Sequence, residues 1–98
     1  FYSHVCFNFQ QSAEKYLKAY IVRHELEFKK IHDLPELLKI CQQRDPSFSG
    51  LFEECRILDV FYVDTRYPVH WPSLVSKEEA LKAQEAARKI KEMVEKLI

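Results

Sequence analysis

Apolar residues recur three and four places apart along almost all of this chain, and the pattern fails at one place only. Such a repeat marks amphipathic helices, because 3.6 residues per turn bring those positions onto one face. The chain carries a single glycine in 98 residues. So few flexible positions argue against a turn-dense β fold and against a glycine-rich phosphate loop. The length suits one domain, residues 1–98. The expectation is an all-α fold, an antiparallel up-and-down four-helix bundle. The chain opens at Phe1 already inside a helical repeat, so earlier turns of that helix are expected to precede it.

The first helix is predicted over Phe1 to Leu26. Val5, Phe9, Ser12, Tyr16, Ala19 and Arg23 make one stripe, and Phe1, Cys6, Ala13, Leu17, Tyr20, Ile21 and His24 widen it. A stripe that wide suits a helix with several neighbours. Gln10, Gln11, Glu14, Lys15 and Lys18 interrupt it, with Glu14 and Lys18 spaced as a surface pair. After a connection at Glu27 to Ile31, Asp33 and Glu36 form a capping box, with Pro35 in the first turn. The second helix then runs to about Arg44 and buries Leu34, Leu37, Leu38 and Cys41, and Asp45-Pro46 stops it.

Ser47 is the next expected cap. A third helix follows from Phe48 to about Asp64, with Leu51, Phe52, Cys55, Leu58 or Ile57, Phe61 and Tyr62 inward. Ser76 and Glu79 make a second capping box, opening a helix from Lys77 to Lys96. Its seam, Ala80, Ala83, Ala87, Ile90, Val94 and Leu97, repeats like that of a left-handed bundle. The small alanines let another helix approach closely, either the first helix or one from a second subunit. Glu78–Lys82, Glu85–Lys89 and Glu92–Lys96 are spaced as surface pairs on the outer face.

Several function classes recede on composition. Lys+Arg and Asp+Glu number 15 each, so any anion site must be local rather than a global basic field. Cys6, Cys41 and Cys55 are far apart and lack paired metal-ligand spacing; buried free thiols in a reducing cytoplasm are expected, and no metal or cofactor is implied. No apolar run is long enough to predict a membrane span.

The break in periodicity is Tyr62 to Pro72, which holds two prolines, Arg66, His70, Tyr62, Tyr67 and the chain's one tryptophan, Trp71. A guanidinium grips phosphate through two donors. An imidazole moves protons near neutral pH. Together Arg66 and His70 have the chemistry of metal-free RNA cleavage, the base taking the 2′-hydroxyl proton and the arginine stabilising charge at phosphorus. Equally, Arg66 pairs with Asp64 or a helix end and His70 caps backbone. Tyr62, Tyr67 and Trp71 either stack on a base or cover the open end of the bundle. His32 bonds backbone or reaches the same loop.

Phe9-Gln10-Gln11-Ser12-Ala13-Glu14-Lys15-Tyr16-Leu17-Lys18-Ala19 resembles the "QQAAEKALKA" helix of HEPN domains. His32-Asp33-Leu34 with Leu37-Leu38 is similar to their "HDLxxLL" segment, and Thr65-Arg66-Tyr67-Pro68 to their "TRYP" loop. The resemblance implies a helical bundle that forms homodimers, with nucleotide or RNA bound in the dimer cleft. It also implies a minimal nucleotidyltransferase as partner, often in a toxin–antitoxin pair. The nucleotide- or phosphate-binding candidates are Arg66 and Tyr67 of that loop, His32 of the His-Asp-Leu segment, and Tyr62 as a ring able to stack on a base. Other members are metal-independent ribonucleases whose arginine and histidine have four to six residues between them. Arg66 and His70, the catalytic candidates here, have only three residues between them, which departs from that motif.

Overall fold

A computed structural model of the chain describes residues 2–62 and 75–98. Within them lie four α-helices, α1 (Tyr2–Arg23), α2 (Leu34–Arg44), α3 (Phe52–Asp59) and α4 (Lys77–Leu97). A 3-10 helix, Pro46–Leu51, leads into α3. No strand occurs among the described residues. α1 packs on α2 and α4, and α3 packs on both as well, which closes a four-helix bundle. Asp64, Arg66, Tyr67, His70 and Trp71 lie outside the described residues.

The core forms where the four apolar stripes meet. Leu17, Ile21, Leu34, Leu37, Cys41, Phe48, Cys55, Leu58, Ala83 and Ile90 are fully buried. Each buried Leu or Ile side chain contributes about 1.5–3 kcal/mol against leaving it in water. Tyr20 meets Phe48 edge-on at 4.7 Å between ring centroids. α4 lays its alanine seam against α1, its most extensive contact, so the first helix fills the gap those small residues leave. Ala86 joins the predicted seam as a buried residue, while Leu97 is only partly buried.

The wide stripe of α1 divides in two. Cys6, Gln10, Ala13, Glu14, Leu17, Tyr20 and Ile21 face the core. Val5, Phe9, Ser12 and Tyr16, named first from the spacing, are only half-buried, and Ala19 and Arg23 are exposed. That outer half, with Tyr2 and the α4 residues Leu81 and Gln84, lines open surface grooves. Leu81 is 53% exposed.

Helix ends follow local chemistry. α1 stops at Arg23 rather than Leu26. Leu26 N–H donates to Ile21 C=O at 2.9 Å and Glu25 N–H to Val22 C=O at 3.2 Å. This is the Schellman pairing, and it holds Glu25 at φ 55, in the left-handed region. No glycine marks the site, which is why the sequence reading ran too far. Asp33 caps α2 by accepting from Glu36 N–H at 3.1 Å. The return half of the expected box is replaced, because the Glu36 carboxylate accepts from Lys39 at 3.1 Å. Both halves of the Ser76–Glu79 box are present.

The start of the third helix differs from the expectation. Asp45, not Ser47, is the cap; it accepts from Ser47 N–H at 3.0 Å and from the Ser47 hydroxyl at 2.6 Å. The 3-10 turn that follows eclipses residues three apart, so Phe48 and Leu51 both turn inward. Phe52 then lies one residue, about 100°, off that face. It is exposed, against the expectation that it faces inward. α3 ends at Asp59, with i to i−3 bonds from Phe61 to Leu58 and Tyr62 to Asp59 closing the turn.

The surface pairs on α4 also re-form. Arg88 takes both Glu85 and Glu92, and Lys89 turns to Glu54 at 3.6 Å. Among the described residues Glu78 and Lys82 form no ion pair. One planar guanidinium, with five donors in a fork, reaches partners three and four residues away at once.

Candidate functional site

The side chains with unspent chemistry gather where the connection between α1 and α2 crosses α1 and meets the end of α3. Glu14 sits on the buried face of α1, one turn after Gln10, and only 6% of it is exposed. A buried carboxylate is tolerated only when paired and hydrogen-bonded. Lys18 Nζ stands 2.9 Å from Glu14 Oε2, and His32 Nδ1 lies 3.0 and 2.9 Å from the two carboxylate oxygens. Gln10 donates to Glu14 at 3.4 Å and to the His32 carbonyl at 3.3 Å. Gln11 donates to the Gln10 side-chain oxygen at 2.7 Å. Burial works to raise the Glu14 carboxyl, but the hydrogen bonds from Lys18 and His32 outweigh it and hold it below its ordinary value.

His32 is held from three sides. Its ring is fixed by Glu14, its carbonyl by Gln10, and one face stacks on Tyr62 with centroids 4.3 Å apart and planes 13° from parallel. Its side chain is still 45% exposed. Nε2 has no hydrogen-bond partner among the described residues. With Nδ1 committed to a carboxylate, Nε2 is the nitrogen presented to a ligand.

Beside this ring pair opens a pocket of about 410 Å³, lined by Lys30, Ile31, His32, Asp33, Asp59 and Tyr62. It is as open to solvent as the grooves along α1 and α4. Asp59 Oδ1 accepts from Leu34 N–H at 3.0 Å, tying the end of α3 to the start of α2. Burial first, and then the charge of Asp33, push the Asp59 carboxyl up, against the pull of that bond.

Two of the predicted site residues, His32 and Tyr62, are thus brought into contact although 30 positions separate them. Arg66, Tyr67 and His70 lie outside the described residues. The sequence reading missed Gln10, Glu14 and Asp59. Glu14 and Lys18 do pair, but not on the surface. The signal was present in the spacing: Gln10 and Glu14 fall in phase with Cys6, Ala13 and Leu17, the face that goes inward.

The cysteines offer no second site. All three are buried and free. Burial pushes the Cys41 and Cys55 thiols up to about 12, which leaves no thiolate at neutral pH. No group of three or more acidic, histidine or cysteine side chains suited to a metal occurs among the described residues.

The fold, the polar segment on α1 and the His-Asp-Leu start of α2 all agree with one family, and the family model described as HEPN domain matches residues 1–97. The chain belongs to the HEPN family. Among curated proteins and among solved structures no match is found. In this HEPN domain the Gln-Gln segment of α1 and the His-Asp-Leu segment are in physical contact, because Glu14 and Gln10 hold His32 in place. No helix among the described residues is long and apolar enough to cross a membrane.

Proposed function

We propose that this HEPN domain binds a nucleotide or RNA and acts, as a cytoplasmic homodimer, beside a minimal nucleotidyltransferase in a toxin–antitoxin pair. The observation that carries the binding reading is the His32–Tyr62 ring pair, pinned by a buried carboxylate and open on a pocket. Preorganised aromatic faces are what bases stack on. In this reading Arg66 grips phosphate, Tyr67 stacks or hydrogen-bonds, and His70 and His32 make secondary contacts. Family membership supports the connection with nucleotides and RNA.

The homodimer is supported by the outer half of the α1 stripe. Phe9 and Tyr16 remain half-buried there, and Leu81 stands exposed beside Phe9. Apolar surface along two adjacent helices is what a second copy would cover.

The test is thermal unfolding with and without nucleotides, together with incubation with RNA in EDTA. A rise in melting temperature with intact RNA supports the binding reading. RNA cleavage that disappears in Arg66→Ala and His70→Ala would replace it with a metal-independent ribonuclease. No shift with any nucleotide or RNA, with a stable partner complex, would leave a non-catalytic interaction scaffold.

A further inference from the structure

Asp59 is the least comfortable charged group in the pocket beside His32. It is the last residue of α3, where the negative end of the helix dipole disfavours a carboxylate. It is half-buried, and Asp33 lines the same pocket. The one hydrogen bond of its carboxylate among the described residues is the Oδ1 contact from Leu34 N–H. An asparagine would make that bond equally well through its carbonyl, without the charge. Oδ2 therefore has acceptor capacity that the described residues do not use. A partly desolvated carboxylate oxygen of this kind can accept from a ligand donor.

Resting on the nucleotide-binding reading above, we propose that this pocket takes a guanine base and that Asp59 selects it. Guanine presents a ring N1–H and an adjacent N2 amino group, side by side, to one carboxylate. Adenine and cytosine present an amino group next to a ring acceptor, and uracil a ring N–H between two carbonyls. A carboxylate accepts but does not donate, so it opposes each of those acceptors. Lys30, a pure donor, lines the same pocket and matches the guanine O6 acceptor. The His32–Tyr62 rings supply the stacking face, and the Glu14 contact keeps the imidazole from turning.

The experiment measures affinities of the full chain for GMP, IMP, XMP, AMP, CMP and UMP by calorimetry. The expected result is GMP tightest, by about tenfold over AMP, CMP and UMP. IMP, which lacks the 2-amino group, falls between. In Asp59→Asn the preference should move from GMP to XMP, because the amide now offers a donor to the xanthine 2-carbonyl. The amide keeps the Leu34 bond, and circular dichroism checks the fold. Lys30→Ala, at an exposed position, is a second variant expected to narrow the GMP preference severalfold. Equal affinities for all six nucleotides would overturn base selection and leave nucleotide binding standing. An unchanged GMP preference in Asp59→Asn would overturn the role of Asp59. No binding of any nucleotide would overturn both this inference and the function it rests on.

Discussion

His32 Nδ1 stands 2.9 Å from Oε2 of Glu14, although the two residues are 18 positions apart. This contact fastens the connection before α2 onto the buried face of α1. Tyr62, following α3, stacks on the same imidazole. Three separate segments are therefore registered through one ring.

The Glu14 network should show in the acid stability of the protein. Lys18 and His32, against burial, lower the folded carboxyl below its ordinary value. A lowered carboxyl contributes stability above its unfolded value and loses it as pH falls through the folded value. Glu14→Gln should cost about 1–3 kcal/mol near neutral pH. The deficit should shrink well below the ordinary carboxylate range, where wild-type Glu14 is also protonated. Urea unfolding at the two pH values checks this; an equal deficit at both would mean the charge contributes nothing.

Ligand binding should depend on both stacked rings. Tyr62→Ala and His32→Ala are each expected to weaken nucleotide binding by roughly tenfold, the loss of one stacking contact. The double variant should lose less than the product of the two, since each ring positions the other. Calorimetry on folded variants measures this, and full affinity in Tyr62→Ala would remove the ring pair from the site.

Glu25 offers a gain in stability. Its φ of 55 is a conformation that side chains with a Cβ adopt at a cost, and it is exposed. Glu25→Gly relieves about 1–2 kcal/mol of strain and returns part of it through the freer unfolded chain. A net increase of about 0.5–1 kcal/mol is expected in denaturant unfolding. A loss would show that the Glu25 side chain has a role beyond the turn.

Ser76 should matter more than its exposure suggests. Its hydroxyl accepts from Glu79 N–H at 3.1 Å, and the Glu79 carboxylate accepts from Ser76 N–H at 3.2 Å. Ser76→Ala is expected to cost about 1 kcal/mol, while Ser76→Asp should cost little, since aspartate caps as well. Melting temperatures of the two variants separate capping from any other effect of the position.

The outer face of α1 and α4 can be tested without disturbing the core. Leu81 is exposed, so Leu81→Lys should change the stability of an isolated subunit by no more than about 0.5 kcal/mol. If a second copy covers this face, the variant should sediment as monomer at concentrations where the wild type is dimeric. Two species that sediment identically as dimers would place the interface elsewhere.

Much of this bundle was legible from local rules. Asp33 before Leu34 and Ser76 before Lys77 announce two helix starts, and Asp45-Pro46 announces a stop. The alanine seam of α4 names its own inward face, because small and branched apolar residues alternate there with charge. The end of α1 was not legible, since Glu25 occupies a left-handed position usually held by glycine. The start of α3 was misjudged because a 3-10 turn and an α-turn place Phe52 on different faces.

Sequence alone determined which stretches coil into helices and that apolar stripes must be hidden, because caps and periodicity act between residues a few positions apart. It did not determine which half of the α1 stripe goes inward, nor that Glu14 is buried and His32 rests against it. Those outcomes depend on groups distant in sequence. A carboxylate enters the interior only when paired and hydrogen-bonded; α1 itself supplies Lys18 and Gln10 one turn to either side of Glu14, but only the folded chain brings His32 to that point.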